Sequence, residues 1–146
     1  MKNALTSIVL LFVLAGCQSV SKDDVSAHIN GYWQIEKVVT ADGDDKDYQG
    51  NTVYDHFEIK NGTGLRTKVM PRLDGKFETN NLSETISVTH DDNGTFLNYA
   101  TDYAKWKEEV KAISDEELVL VNDRNIEYHY KKAGPINMLD DGKATE

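Results

Sequence analysis

The chain has one cysteine and two prolines in 146 residues, and 16 basic side chains against 25 acidic ones. Each shortage excludes something. A lone Cys17 cannot close an intramolecular disulfide or build a thiolate metal site. A formal charge of −9 makes nucleic acid and anionic lipid surfaces poor partners, since both would be repelled. Long apolar runs are missing too. Residues 8–14 (IVLLFVL) are continuously apolar, but a spanning helix needs about 20 such residues. No Gly-x-Ser-x-Gly elbow, phosphate loop or dinucleotide fingerprint occurs, so neither an enzyme nor a cofactor is expected. His28, His56, His90 and His129 fall on separate elements without a metal-ligand spacing.

What is present begins at the N-terminus. Lys2 precedes the apolar run, and Leu14-Ala15-Gly16-Cys17 closes it. A charge, a short apolar stretch, a small pair and a Cys at this depth make an export signal rather than a membrane span. Leu14-Ala15-Gly16-Cys17 resembles the lipobox of bacterial lipoproteins. The resemblance implies cleavage after residue 16, acyl chains on Cys17, and attachment to an envelope membrane through them. Two or more chains give stable anchoring, at about 0.8 kcal/mol per buried CH₂. In such lipoproteins an Asp after the Cys tends to retain the protein at the inner membrane, so Gln18 implies the outer membrane. Ser21-Lys22-Asp23-Asp24 resembles the surface-export tag of some Bacteroidetes lipoproteins; a solvated linker has the same composition. Removing the signal takes away one basic residue and leaves a charge of −10.

The expected organisation is a signal over residues 1–16, a lipidated N-terminus and tether over 17–28, a barrel over 29–133 and a loose polar tail over 134–146. After Asn30 the apolar pattern has period two, which predicts strands. Trp33, Ile35 and Val39 are expected on one face. Val53, Asp55, Phe57 and Ile59 alternate with Tyr54, His56, Glu58 and Lys60 before Asn61-Gly62, a strong hairpin turn. Leu65, Thr67 and Val69 alternate with Arg66 and Lys68. Asp74-Gly75 turns into a short strand over 77–79. Leu82, Glu84, Ile86 and Val88 share the next apolar phase, and Asp92-Asn93-Gly94 turns into residues 95–101. Trp106, Val110 and Ala112 form another, followed by strands over 118–121 and 126–131. Eight or nine strands at short spacing, with no long amphipathic helix, predict an all-β, antiparallel up-and-down barrel of about eight strands, or a sandwich.

Gly31-Tyr32-Trp33, after a short helical preamble, resembles the Gly-x-Trp arrangement of lipocalins and the wider calycin group. Residues 106–120 and Tyr128-His129-Tyr130-Lys131 are similar to the last strands of bacterial lipocalin-like lipoproteins. The resemblance spans about residues 29 to 133. It implies a Trp33 plug at a closed end and a basic residue stacked on it, with Lys131, Lys132 or Arg124 as candidates.

The ligand-lining candidates are Trp33, Phe57, Arg66, Trp106, Tyr128 and Tyr130. Phe77 and Phe96 complete the aromatic set, which could equally fill the barrel, since eight strands leave room for either. Asp55 and Glu84 are expected at strand ends with their carboxylates reaching water. Asp42-Gly43-Asp44-Asp45-Lys46-Asp47 lacks the ligand order of a calcium loop and is expected as a loop at the barrel mouth, as is 73–75. Two functions remain open. One is non-enzymatic binding of a small, partly hydrophobic molecule in the interior. The other is a solid-cored module that docks on an envelope protein partner.

Overall fold

The computed structural model describes residues 19–133, except 49, 51 and 75. Cys17, Gln18, the expected export signal over residues 1–16 and the expected tail over 134–146 lie outside these. One helix, α1 (Lys22–His28), precedes nine strands: β1 (Gly31–Val39), β2 (Asp45–Asp47), β3 (Tyr54–Lys60), β4 (Thr63–Pro71), β5 (Phe77–Asp91), β6 (Gly94–Ala100), β7 (Lys105–Ile113), β8 (Glu117–Asn122) and β9 (Glu127–Ala133). All pairings are antiparallel. Sequential neighbours pair from β3 to β9, β1 pairs with β3, and β9 returns to β1. Eight strands thus close a barrel, and closure pairs β9 with β1 instead of leaving them as edges. The short β2 adds to the far end of β1, where Lys37 pairs with the carboxylate of Asp45.

The hairpin turns follow their residues. Asn61 and Gly62 both take positive φ, at 54° and 79°, which β3–β4 needs for its two-residue turn. Gly64, next on β4, is required by space. A Cβ there would stand 1.8 Å from the Glu58 carbonyl oxygen and 2.7 Å from Ile59 Cα.

The interior is densely filled. Val25, Ile29, Trp33, Phe57, Leu97, Leu118 and Leu120 are inaccessible to solvent. Alternation places Asp55, Phe57 and Ile59 of β3 inward, as expected. Bulges break the simple period elsewhere. One between Ile35 and Lys37 puts Val38, not Val39, opposite inward-facing Tyr128. On β4 a shift between Thr67 and Val69 puts both Arg66 and Val69 in the interior, so Val69 faces inward as expected while Leu65, expected with it, is 42% exposed. Leu82 is likewise exposed, at the open rim.

Residues 77–91 form one bent strand rather than two. The pairing of β4 with β5 slips between Thr67 and Val69, and Asn81 takes φ 58°. Beyond this bend the hairpin arm turns outward. Phe77 stacks at 4.4 Å on the ring of Tyr32, whose other neighbour His56 lies at 4.3 Å. Tyr32 is on the outer face of β1, so Phe77 clasps the barrel wall and does not line the interior. Phe96 also faces outward, beneath the Lys107 ammonium.

Helix α1 seals one end. Ser21 and Asp24 form a reciprocal capping box, and Val25 and Ile29 enter the core. The segment expected as a tether up to residue 28 is therefore part of the folded domain from about Ser21. Trp33 Nε1 donates to the Ile29 carbonyl at 2.7 Å. Asn30 brackets Ile59 through both its backbone groups. Lys132 Nζ stands 4.8 Å from the Trp33 ring centroid and donates to the His28 carbonyl at 2.5 Å. Of the three basic candidates, Lys132 is the one that covers the plug.

Candidate functional site

The opposite end of the barrel is open, and a polar cluster lies below it. Register fixes the cluster, because directly paired residues share a face. Phe57, Arg66 and Glu84 are paired across β3, β4 and β5. Trp33, Asp55 and Lys68 are paired across β1, β3 and β4. Ile86, Tyr99 and Trp106 follow across β5, β6 and β7, and Val88, Leu97 and Glu108 lie one step deeper. A guanidinium, three carboxylates and two phenols therefore converge inside a barrel otherwise lined by aliphatic and aromatic groups.

Arg66 is the centre. Its Nε donates to Glu84 Oε2 at 2.8 Å. Its guanidinium carbon lies 4.3 Å from the Tyr99 ring centroid, a cation–π contact in a desolvated place. Burial opposes its charge, but Tyr99, the Glu84 hydrogen bond and Asp55 hold it above its ordinary range. Lys68 Nζ donates to Asp55 Oδ1 at 2.7 Å from a half-exposed position. Glu108 is different. Its side chain is 9% exposed, and its Oε2 is 3.8 Å from Arg66 Nη1, beyond a hydrogen bond. Burial pushes its carboxyl above the ordinary carboxylate value, with Arg66 pulling the other way. Burial likewise pushes the Tyr99 and Tyr130 phenols well up. Among buried side-chain polar atoms of the described residues, Tyr99 Oη and Glu108 Oε2 have no hydrogen-bond partner.

Nearer the mouth the lining becomes aromatic. Trp106 is stacked on Tyr99, with centroids 5.2 Å apart and an interplanar angle of 12°. Tyr128 is half-buried, and its Oη accepts from Asn122 Nδ2 at 3.2 Å. Leu82, 71% exposed, and Tyr103, 96% exposed, stand on the rim. An open recess of about 580 Å³ runs there past Leu82, Glu84, Thr101 and Tyr103.

The structure thus divides the sequence candidates. Arg66, Trp106, Tyr128 and Tyr130 belong to the open half or border it. Trp33 and Phe57 are inaccessible to solvent and pack the core, Phe57 directly beside Arg66 and Trp33 beside Asp55. Asp55 and Glu84, expected to reach water at strand ends, face inward, and each holds a cation. Tyr99 and Glu108 were not singled out by their sequence context. Their signal is phase: Tyr99 is two residues from Leu97, and Glu108 stands midway between Trp106 and Val110.

A closed eight-stranded antiparallel barrel, plugged by a Trp under a short helix and open above polar groups, defines the calycin type of architecture. Residues 29–120 match the family described as lipocalin-like domain, and the chain belongs to that family. Two solved structures resemble it. One is a lipocalin-like protein from Bacteroides uniformis, 14% identical, covering 71% of this chain and 97% of its own, with a TM-score of 0.46. The other is an uncharacterized protein from Bacteroides eggerthii, also 14% identical, covering 71% of this chain and 98% of its own, with the same TM-score. No curated protein matches.

Proposed function

We propose that the chain is an envelope lipoprotein, anchored through Cys17 and sorted to the outer membrane, whose barrel binds a small, partly hydrophobic molecule at its open end without catalysing a reaction. The observation that carries the binding function is the open recess of about 580 Å³ that runs past Leu82, Glu84, Thr101 and Tyr103 at the end of the barrel away from α1. Affinity comes from apolar burial against the aromatic lining, and the polar floor orients the ligand. Native mass spectrometry of the protein isolated from its own membranes tests this. A co-purifying mass lost on denaturation is expected. An empty barrel that also fails to bind an apolar fluorescent dye would overturn the reading. For the anchor, Cys17→Ser should move the protein from the membrane to the soluble fraction with its β-sheet circular dichroism unchanged.

The exposed Leu82 and Tyr103 favour a second reading, in which the rim docks on an envelope protein. Crosslinking in intact cells separates the two. A stoichiometric partner captured through Tyr103, with no small molecule in the barrel, would select docking.

A further inference from the structure

We propose that the sealed end of the barrel faces the bilayer that holds the anchor, so that the rim of Leu82 and Tyr103 opens toward the aqueous compartment. This rests on the reading of Cys17 as the acylated residue. It assigns the surface that meets the membrane and the side from which a ligand or partner arrives.

The chain is fixed to the barrel almost at the anchor itself. Thr95, 1% exposed at the start of β6, donates its hydroxyl to the Val20 carbonyl. His90 Nδ1 lies 2.8 Å from that hydroxyl. The Val20 side chain is half-buried against the core, and Ser21 caps α1 directly after it. Residues 18 and 19 alone separate Val20 from Cys17. Three Cα–Cα steps span at most about 11 Å in any conformation. The tether enters at the sealed end. Val20 meets the β5–β6 hairpin there, and α1 is tied to the β7–β8 turn of the same end, where His28 Nδ1 lies 2.9 Å from Asp115 Oδ1. From that end the seven residues of β6 (Gly94–Ala100) lead to Thr101 and Tyr103 at the rim. At about 3.3 Å per residue and a tilt of about 40°, this is about 18 Å along the barrel axis. A barrel turned rim-down would hold Val20 at least that far from the bilayer, beyond the reach of the tether. Charge does not set the orientation. The turns of the sealed end carry Asp91, Asp92, Asp115 and Glu116, which an anionic leaflet repels, and the short tether holds that end down against the repulsion. The recess between Leu82 and Tyr103 therefore fills from the aqueous side and does not extract its ligand from the leaflet that holds the anchor.

Two labelled forms of the acylated full chain test the assignment, one with a fluorophore at Asp92→Cys in the β5–β6 turn and one at Tyr103→Cys on the rim. Acylation consumes the Cys17 thiol, so each form carries a single reactive thiol. Each is reconstituted into phosphatidylcholine vesicles with an energy acceptor on the lipid headgroups. Transfer from residue 92 should exceed transfer from residue 103 at least twofold. A Gly/Ser insertion of about 12 residues after Ser19 adds an r.m.s. span of about 20 Å. It should leave flotation with the vesicles unchanged and make the two transfers nearly equal. If the native tether gives equal transfer, or more from residue 103, the orientation is overturned while flotation shows that the anchor stands. If residue 92 keeps its twofold advantage in the chain with the insertion, the tether does not set the orientation and the proposal falls. If the chain does not float with the vesicles at all, the anchor reading fails and takes the orientation with it.

Discussion

Replacing Arg66 by Met keeps most of the stem volume and removes the one guanidinium from the barrel interior. In the native protein it is 7% exposed overall, with a bond to Glu84 and a ring contact to Tyr99. Removing one partner of a buried ion pair costs about 3–5 kcal/mol, because the other charge stays behind. Glu84 keeps some contact with water, its side chain being 20% exposed, so the lower end of that range applies, about 3 kcal/mol. In a domain of this size about 4 °C of Tm is lost per kcal/mol, which makes a fall of about 12 °C. The pH dependence carries the electrostatic content. Arg66 is the charge that opposes the burial-driven rise of Glu108, so without it Glu108 resists ionisation further. A carboxyl whose folded value is raised contributes stability below its unfolded value, and that stability is lost as pH rises through the folded value. The variant should therefore lose more at pH 8 than at pH 5. Thermal unfolding followed by circular dichroism at the two pH values reads this directly. The double variant Arg66→Met with Glu84→Gln should recover a large part of the loss at pH 8. An equal loss at both pH values, with no recovery in the double variant, would show that Arg66 acts by packing alone and refute the reasoning.

Other outcomes follow from the same contacts. Gly64→Ala places a methyl group inside the Glu58–Ile59 backbone and should lose at least about 3 kcal/mol by urea unfolding; a loss below 1 kcal/mol would mean the β3–β4 hairpin opens without penalty. Trp33→Phe leaves the buried Ile29 carbonyl without its donor and should lose about 1–3 kcal/mol, read by the same unfolding curve. Glu108→Gln should remove the part of the native stability that declines as pH rises above the ordinary carboxylate range through the burial-raised value of this carboxyl, so the variant shows a flatter profile of unfolding temperature against pH than the native protein. Phe77→Ala releases the hairpin arm from Tyr32, and limited proteolysis should then cut between residues 69 and 79 faster, with the barrel intact.

Local chemistry wrote much of this protein into its sequence. The strand class came from period-two alternation, which is a property of the extended backbone alone. The Asn61-Gly62 turn came from two residues that tolerate positive φ. Trp33 as a plug and a basic residue over it were legible from the Gly31-Tyr32-Trp33 context. Tertiary structure decided what alternation cannot, namely which phase points inward after a bulge. One inserted residue reverses every later side chain. That is why Val38 replaced Val39 and why Arg66 and Val69, three residues apart on β4, both face inward; Asp55 and Glu84 keep the inward phase of their alternation and meet cations on a neighbouring strand. The site depends on register between strands. Arg66, Glu84, Tyr99 and Glu108 lie up to 42 residues apart in the chain, and only the register of β4 to β7 sets them against one another. A sequence states the charge of each residue, but only closure of the barrel buries Glu108 and sets it 3.8 Å from Arg66.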